Sequence, residues 1–146
     1  MIRDDIREAI KKDLETIKPI TYTTRISKVF KGYKDVSRLS ESDFDAVGMI
    51  DVNTITEHYG DNESMDTWEL ILVLYASTSE GEDDFLLSNQ FEKMFEDIKD
   101  LFASQECNLA LVEGVESWEV VGMTPNPYNT QTKGMAYVPM RIKYIN

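Results

Sequence analysis

The chain has 146 residues, 42% apolar and 29% charged, with seven glycines and four prolines, which fits one compact domain with its own core and excludes a long disordered linker. Its formal net charge of −12, from 27 acidic and 15 basic residues, opposes tight binding to a phosphate backbone, which needs Lys and Arg to displace counterions; such acidity favours solubility and lets DNA slide past without sticking. Met1-Ile2-Arg3-Asp4-Asp5 has no signal-peptide apolar core, and no apolar run approaches the ~20 residues that span a bilayer, so the expectation is a soluble protein made in a cytoplasm, with no membrane partner.

The first predicted element is a helix. Ile2, Ile6, Ala9, Ile10, Leu14 and Ile17 recur at three- and four-residue spacing, with Arg3, Asp5, Glu8, Lys11, Lys12 and Glu15 on the other face, and Pro19 ends it. Residues 20–34, with Ile26, Val29, Phe30 and Tyr33, read as a strand ending near Gly32, and Lys34 to Ser42 as a loop. Val47 to Glu57 alternates as a strand, with Gly48, Ile50, Val52 and Thr54 opposite Val47, Met49, Asp51 and Asn53. A polar turn through Asp61-Asn62-Glu63-Ser64 leads to Thr67–Ser77, apolar on both faces apart from Glu69, hence a central strand covered on both sides and paired antiparallel with the one before.

Ser79 to Asp84 is acidic where a helix dipole is positive, and predicts the start of a second helix running to about Ser104. Its wide stripe of Leu87, Phe91, Met94, Phe95, Ile98, Leu101 and Phe102 makes it the dominant core element. Asn108 to Val112 reads as a short extended segment, Ser117 to Met123 as a strand, and 124–134 as a long polar loop. Tyr137 to Ile145 is a half-buried strand, with an edge or bulge expected at Pro139, which has no N–H to donate. The fold class is therefore α+β: one domain, 1–146, a mostly antiparallel sheet carrying an N-terminal helix and one main helix.

Chemistry-bearing motifs are sparse. The single histidine, His58, falls on a predicted turn, where surface residues of this kind are routine. The single cysteine, Cys107, allows no intramolecular disulfide, fits a reducing compartment, and sits beside Glu106, which disfavours a thiolate. One His and one Cys cannot supply the common zinc sets, and the carboxylate clusters Asp43-x-Asp45 and Asp61-Asn62-Glu63 lack EF-hand spacing. A metal-dependent nuclease would need Asp51 and Glu69 to face each other across the hairpin. There is no phosphate-binding glycine loop, so no cofactor is expected. Arg25, Lys28, Lys31 and Lys34, interleaved with Phe30 and Tyr33, form the only basic patch, read as a solvated sheet edge.

Phe44-Asp45-Ala46-Val47, helix one with Pro19 after it, helix two at 83–104 and the closing Tyr137-Val138-Pro139-Met140-Arg141-Ile142 together resemble the tail terminator (tail completion) proteins of long-tailed bacteriophages. Those proteins commonly carry proline where Asp45 stands. The resemblance implies a ring, usually hexameric, that caps the finished tail tube at the head-proximal end of the virion after assembly in the host cytoplasm. Such a ring ends tube polymerisation and joins the tube to the head connector or another neck protein. DNA passes through its lumen unbound. It further implies a structural part with no catalytic residues, whose subunit or partner contacts would fall on Asp61, Glu63, Glu82, Asp83, Pro125, Tyr128 and Lys133. The competing expectations are another neck or tail-tube interface protein, the Asp51/Glu69 nuclease, and a monomeric module that binds a protein through the 124–134 loop.

Overall fold

The computed structural model describes residues 2–60, 63–78, 86–130 and 132–145. Helix α1 (Ile2–Glu15) buries Ile6, Ala9, Ile10 and Leu14, the stripe its spacing predicts. Strand β1 (Lys28–Phe30) is only three residues long, because the residues around it turn away from the sheet. A flap follows, built from 3₁₀ turns at Val36–Arg38 and Glu41–Asp43; the Asp35 side chain caps the first and a Ser40/Asp43 capping box starts the second. Strands β2 (Ala46–His58) and β3 (Ser64–Ser77) form the expected antiparallel hairpin. Helix α2 (Leu86–Ala103) comes next, and its predicted acidic start at 79–84 lies outside the described residues. Strands β4 (Val115–Val120), β5 (Thr124–Pro125) and β6 (Lys133–Ile145) complete the chain.

The result is the expected α+β architecture. Among the described residues, six strands make one sheet in the order β1-β2-β3-β6-β4, with β5 also paired to β6. Strand β1 is parallel to its neighbour β2, and the other pairings between these strands are antiparallel. Strand β3 lies between β2 and β6, which is why its sequence is apolar on both faces. On one face Trp68, Leu70, Leu72 and Leu74 meet α1 and α2; on the other, Val73 and Tyr75 meet Leu39, Phe30 and Phe44 of the flap and its approach. The Tyr75 hydroxyl ties the flap down by donating to the Lys34 carbonyl at 2.7 Å, and it accepts the Lys34 N–H at 2.9 Å. Gly48 leaves room for this arrangement: a Cβ there would come within 2.8 Å of the Gly32 carbonyl oxygen.

Several local expectations are corrected. The alternation predicted for β2 holds only to Asp51, because a bulge between Asp51 and Asn53 inserts one residue. Beyond it the faces exchange, so Thr54 pairs with Trp68 and Ile55 with Thr67. Asn108–Leu111 is a 3₁₀ turn rather than an extended segment, since two of its backbone N–H groups are captured by a carboxylate described below. Strand β6 is internal rather than an edge. The Pro139 carbonyl accepts from Val121 N–H at 2.9 Å, and a residue's N and C=O point to the same neighbour, so the missing donor faces the gap between β4 and β5. The 124–134 segment is not a free loop: β5 pairs with Tyr137 and Ala136, and the Asn129 side chain bonds both Met135 N and Met135 O.

Two buried carboxylates hold the helices to distant chain. Asp13 of α1, 2% exposed, accepts from Asn108 N at 2.7 Å, Asn108 Nδ2 at 3.0 Å and Leu109 N at 3.0 Å. Asp97 of α2, 3% exposed, accepts from Thr23 N at 3.1 Å, Thr24 N at 2.7 Å and Thr24 Oγ1 at 2.6 Å. Phe95 lies at the margin of the core with Lys99 Nζ 4.9 Å from its ring centre, whereas Phe91 is 2% exposed. Phe91→Ala should therefore cost about 3–5 kcal/mol in urea unfolding and Phe95→Ala clearly less; equal losses would contradict this burial. Asp97→Ala leaves the Thr23 and Thr24 donors without their acceptor, and at roughly 1–3 kcal/mol per orphaned donor it should lower stability by about 3 kcal/mol in the same measurement.

Candidate interaction surface

Strand β1 pairs with β2 only from Ala46 to Gly48, so the distal half of β2 runs on with no strand on its outer side among the described residues. The exposed side chains of this arm include Val52, Ile55 and Tyr59, and the Tyr59 N–H closes the hairpin onto the Glu63 carbonyl at 2.8 Å. An unpaired strand carrying exposed apolar groups is a template for pairing with another chain.

Helix α1 sets the pose of this arm through Trp68, which is 1% exposed. The Arg3 and Arg7 guanidinium carbons lie 5.2 and 4.9 Å from its ring centre. Arg7 also donates to the Asp51 carboxylate at 2.7 Å, the Trp68 indole N–H donates to Asp51, and Arg3 donates to the Tyr144 hydroxyl at 2.8 Å and to Thr54. Asp51 is thus committed to structure on the helix side. It pairs with Leu70, while Glu69 pairs with Asn53 and points to the opposite face, as its lining of the cleft there shows. The facing Asp51/Glu69 pair that a nuclease would need does not form.

On the face away from the helices, the flap covers only the proximal sheet. The distal part is an open cleft of about 540 Å³ lined by Ile55, Thr67, Glu69, Ser117, Arg141 and Lys143. Its polar groups stand in rows across three strands. Arg141 pairs with Glu69 on one side and Glu119 on the other, with an Arg141–Glu119 ion pair at 3.2 Å.

The candidate contact residues divide between the two ends of the sheet. Asp61, Glu82 and Asp83 lie outside the described residues. Glu63 is exposed at the hairpin tip beside Tyr59, Met65 and Ile145. Pro125, Tyr128 and Lys133 lie toward the other end, roughly 30–40 Å away at about 3.3 Å per residue, since Pro125 is level with Leu74 and Lys133 with Ser77 along a strand that starts near Met65. Pro125 is exposed in β5, Tyr128 is 91% exposed, and Lys133 pairs with Glu41 at 2.6 Å. The Lys133 hydrogen bond also holds the Glu41 carboxyl below the usual carboxylate range. Glu63 is therefore not brought together with the other three.

Among the described residues, no group of three or more His, Cys, Asp or Glu is placed to hold a metal ion, and no helix is long and apolar enough to cross a membrane. His58 ends β2, opposite Ser64, rather than standing in the turn. Cys107 is buried, and burial pushes its thiol above the ordinary range, as an inert cysteine requires. Sequence reasoning missed Asp13, Asp97 and the Arg3/Arg7/Trp68 stack. The signal for the first two was positional: Asp13 continues the series 2, 6, 9, and Asp97 falls between Met94 and Leu101, so both carboxylates share the buried stripe of their helix. Arg3 and Arg7 are four residues apart, which puts them on one face.

No protein-family model matches the sequence, and no curated protein matches it.

The strand-opening residues Phe44–Ala46 have a specific role. The Phe44–Asp45 peptide is cis, and the Asp45 carboxylate accepts from Gln90 Nε2 of α2 at 2.5 Å, tying the second helix to the start of β2. Burial holds the Asp45 carboxyl above its usual range against hydrogen bonds from Gln90 and the Ser77 backbone, which pull it down. With the folded-state pKa raised, this group's contribution to stability is complete below the ordinary carboxylate range and is lost as pH rises through the raised value. Asp45→Asn keeps an oxygen for Gln90 and removes the titration. The variant should be more stable than wild type near pH 7 and lose that advantage near pH 4; urea midpoints showing the same gain at both pH values would contradict this assignment.

Proposed function

We propose that this chain is a structural subunit of the tail-terminator type, one of a ring that caps a phage tail tube, ends its polymerisation and joins it to the head connector, with DNA passing through the lumen. The observation that carries the reading is the long β2–β3 arm, whose distal half has no strand on its outer side among the described residues, with exposed Val52, Ile55 and Tyr59 and an open cleft on one face. An unpaired strand of this kind can add to another chain, and head-to-tail contacts between copies close into rings. The element order supports it too: a leading helix, a short strand, a long hairpin, a helix across the sheet, and closing strands. The net charge of −12 suits a channel that DNA traverses without sticking. The pinning of residues 124–134 by β5 and Asn129 disfavours a monomeric module that works through that loop.

Light scattering should give the mass of about six subunits, the number the tail-terminator resemblance implies, and negative-stain images of the same sample should show a ring with a central hole. Protein that is monomeric in solution and also fails to bind purified tail tubes would sink this reading.

A further inference from the structure

The charges of this acidic chain are not evenly spread over the sheet. The segment from Arg25 to Arg38 runs through β1 and the first turn of the flap and carries Arg25, Lys28, Lys31, Lys34 and Arg38 against one carboxylate, Asp35, while Glu41 and Asp43 of the second turn are paired with Lys133 and Lys28. The segment from Glu106 to Val120 runs through the last 3₁₀ turn and β4 and carries Glu106, Glu113, Glu116 and Glu119 with no basic residue. Strands β1 and β4 are the two ends of the sheet order, separated by β2, β3 and β6. One molecule therefore presents a cationic flank on one side and an anionic flank on the other.

Part of this charge is engaged within the molecule, Lys34 Nζ standing 4.4 Å from the Phe30 ring centre, and part is outside any ion pair. Lys28 pairs with Asp43 at 3.1 Å and Lys31 pairs with Glu8, but the ion pairs among the described residues do not include Arg25, Lys34, Arg38, Glu106, Glu113 or Glu116. All six are exposed. Each flank also presents a large apolar group that an interface would bury: Tyr33, 52% exposed, on the cationic side and Leu111, 77% exposed, on the anionic side. Apolar centres with charged surrounds are the composition of protein interfaces, and complementary potentials set which surfaces meet and in what orientation.

We infer that the β1 flank of one copy docks against the β4 flank of the next copy of this chain. The inference rests on the ring reading above and specifies which surfaces form its repeating contact. The two patches differ, so the contact is head-to-tail, and repetition closes a ring if the rotation between copies allows it. A two-fold dimer through either patch would set like charge against like.

Charge exchange tests this. One variant carries Arg25→Glu, Lys34→Glu and Arg38→Glu; the other carries Glu106→Lys, Glu113→Lys and Glu116→Lys. The substituted groups are exposed, and circular dichroism and thermal unfolding check that each variant folds. Each variant alone has like charge on both flanks and should fall to the mass of a single 146-residue subunit. An equimolar mixture should recover the wild-type mass with the two variants in equal number, because every junction then joins opposite charges. Wild-type assemblies should loosen as salt rises, since screening shortens to about 3 Å at 1 M. If either variant assembles alone to the wild-type mass, or if the mixture fails to assemble, the flank pairing is overturned; rings formed by the wild-type protein in the same buffer leave the ring reading standing. Wild-type protein that stays monomeric at low salt overturns the flank pairing whatever the tail-tube assay shows, and absence of tube binding as well faults the ring reading too.

Discussion

The β3–β6 ladder is the constraint on which the other elements depend. It runs from Met65↔Ile145 to Ser77↔Lys133 without a register shift. Because side chains alternate with period two, an unbroken ladder decides for its whole length which residues face the helices and which face away. Trp68, Leu70, Leu72 and Leu74 are thereby committed to the same side as Val138, Met140, Ile142 and Tyr144, and both helices pack there. The irregularities are confined to the partners of this pair: the bulge in β2 at Asp51/Asn53 and the shift in β4 at Val115/Ser117. The outer strands carry the register shifts, and the central pair carries none.

Given that platform, the remaining problem is to seat chain segments that cannot join a strand ladder. The protein does this with ionisable and hydroxyl groups placed inside the apolar stripes. Asp13 gathers the turn at 108–109, Asp97 gathers Thr23 and Thr24, and Tyr75 gathers Lys34 on the other face. A carboxylate accepting three donors replaces the hydrogen bonds those backbone groups would otherwise make with water, which is how buried polar groups of this kind are tolerated. Helix positions are therefore set by specific polar contacts as well as by apolar area.

Much of this architecture was legible in the residues. The stripes of α1 and α2, the hairpin, the central character of β3 and the alternation of β6 follow from spacing, because each reflects a local period and one buried face. What escaped depended on distant partners. The exchange of faces after Asp51 comes from a single extra residue that no alternation rule announces. Asn108–Leu111 is turned because Asp13, far away in sequence, captures its N–H groups. Asp51 reads as a free carboxylate until Arg7 and Trp68 are seen to hold it. Of the candidate surface, Pro125, Tyr128 and Lys133 do share one end of the sheet, but the arm formed by the distal half of β2 was hidden. Its exposure results from the shortness of β1, which the β-branched and aromatic content of residues 20–34 overstated.

The two tryptophans of this chain sit one against each helix. Trp68 lies under α1 between Arg3, Arg7 and Asp51, and the Trp118 indole N–H donates to the Phe102 carbonyl at 2.6 Å in the last turn of α2. Each indole is thus bound to the element whose seating it senses. Replaced one at a time by phenylalanine, they leave a chain whose intrinsic emission follows a single helix, giving the molecule two separate optical gauges: one for the helix that steadies the arm and one for the helix that closes the core.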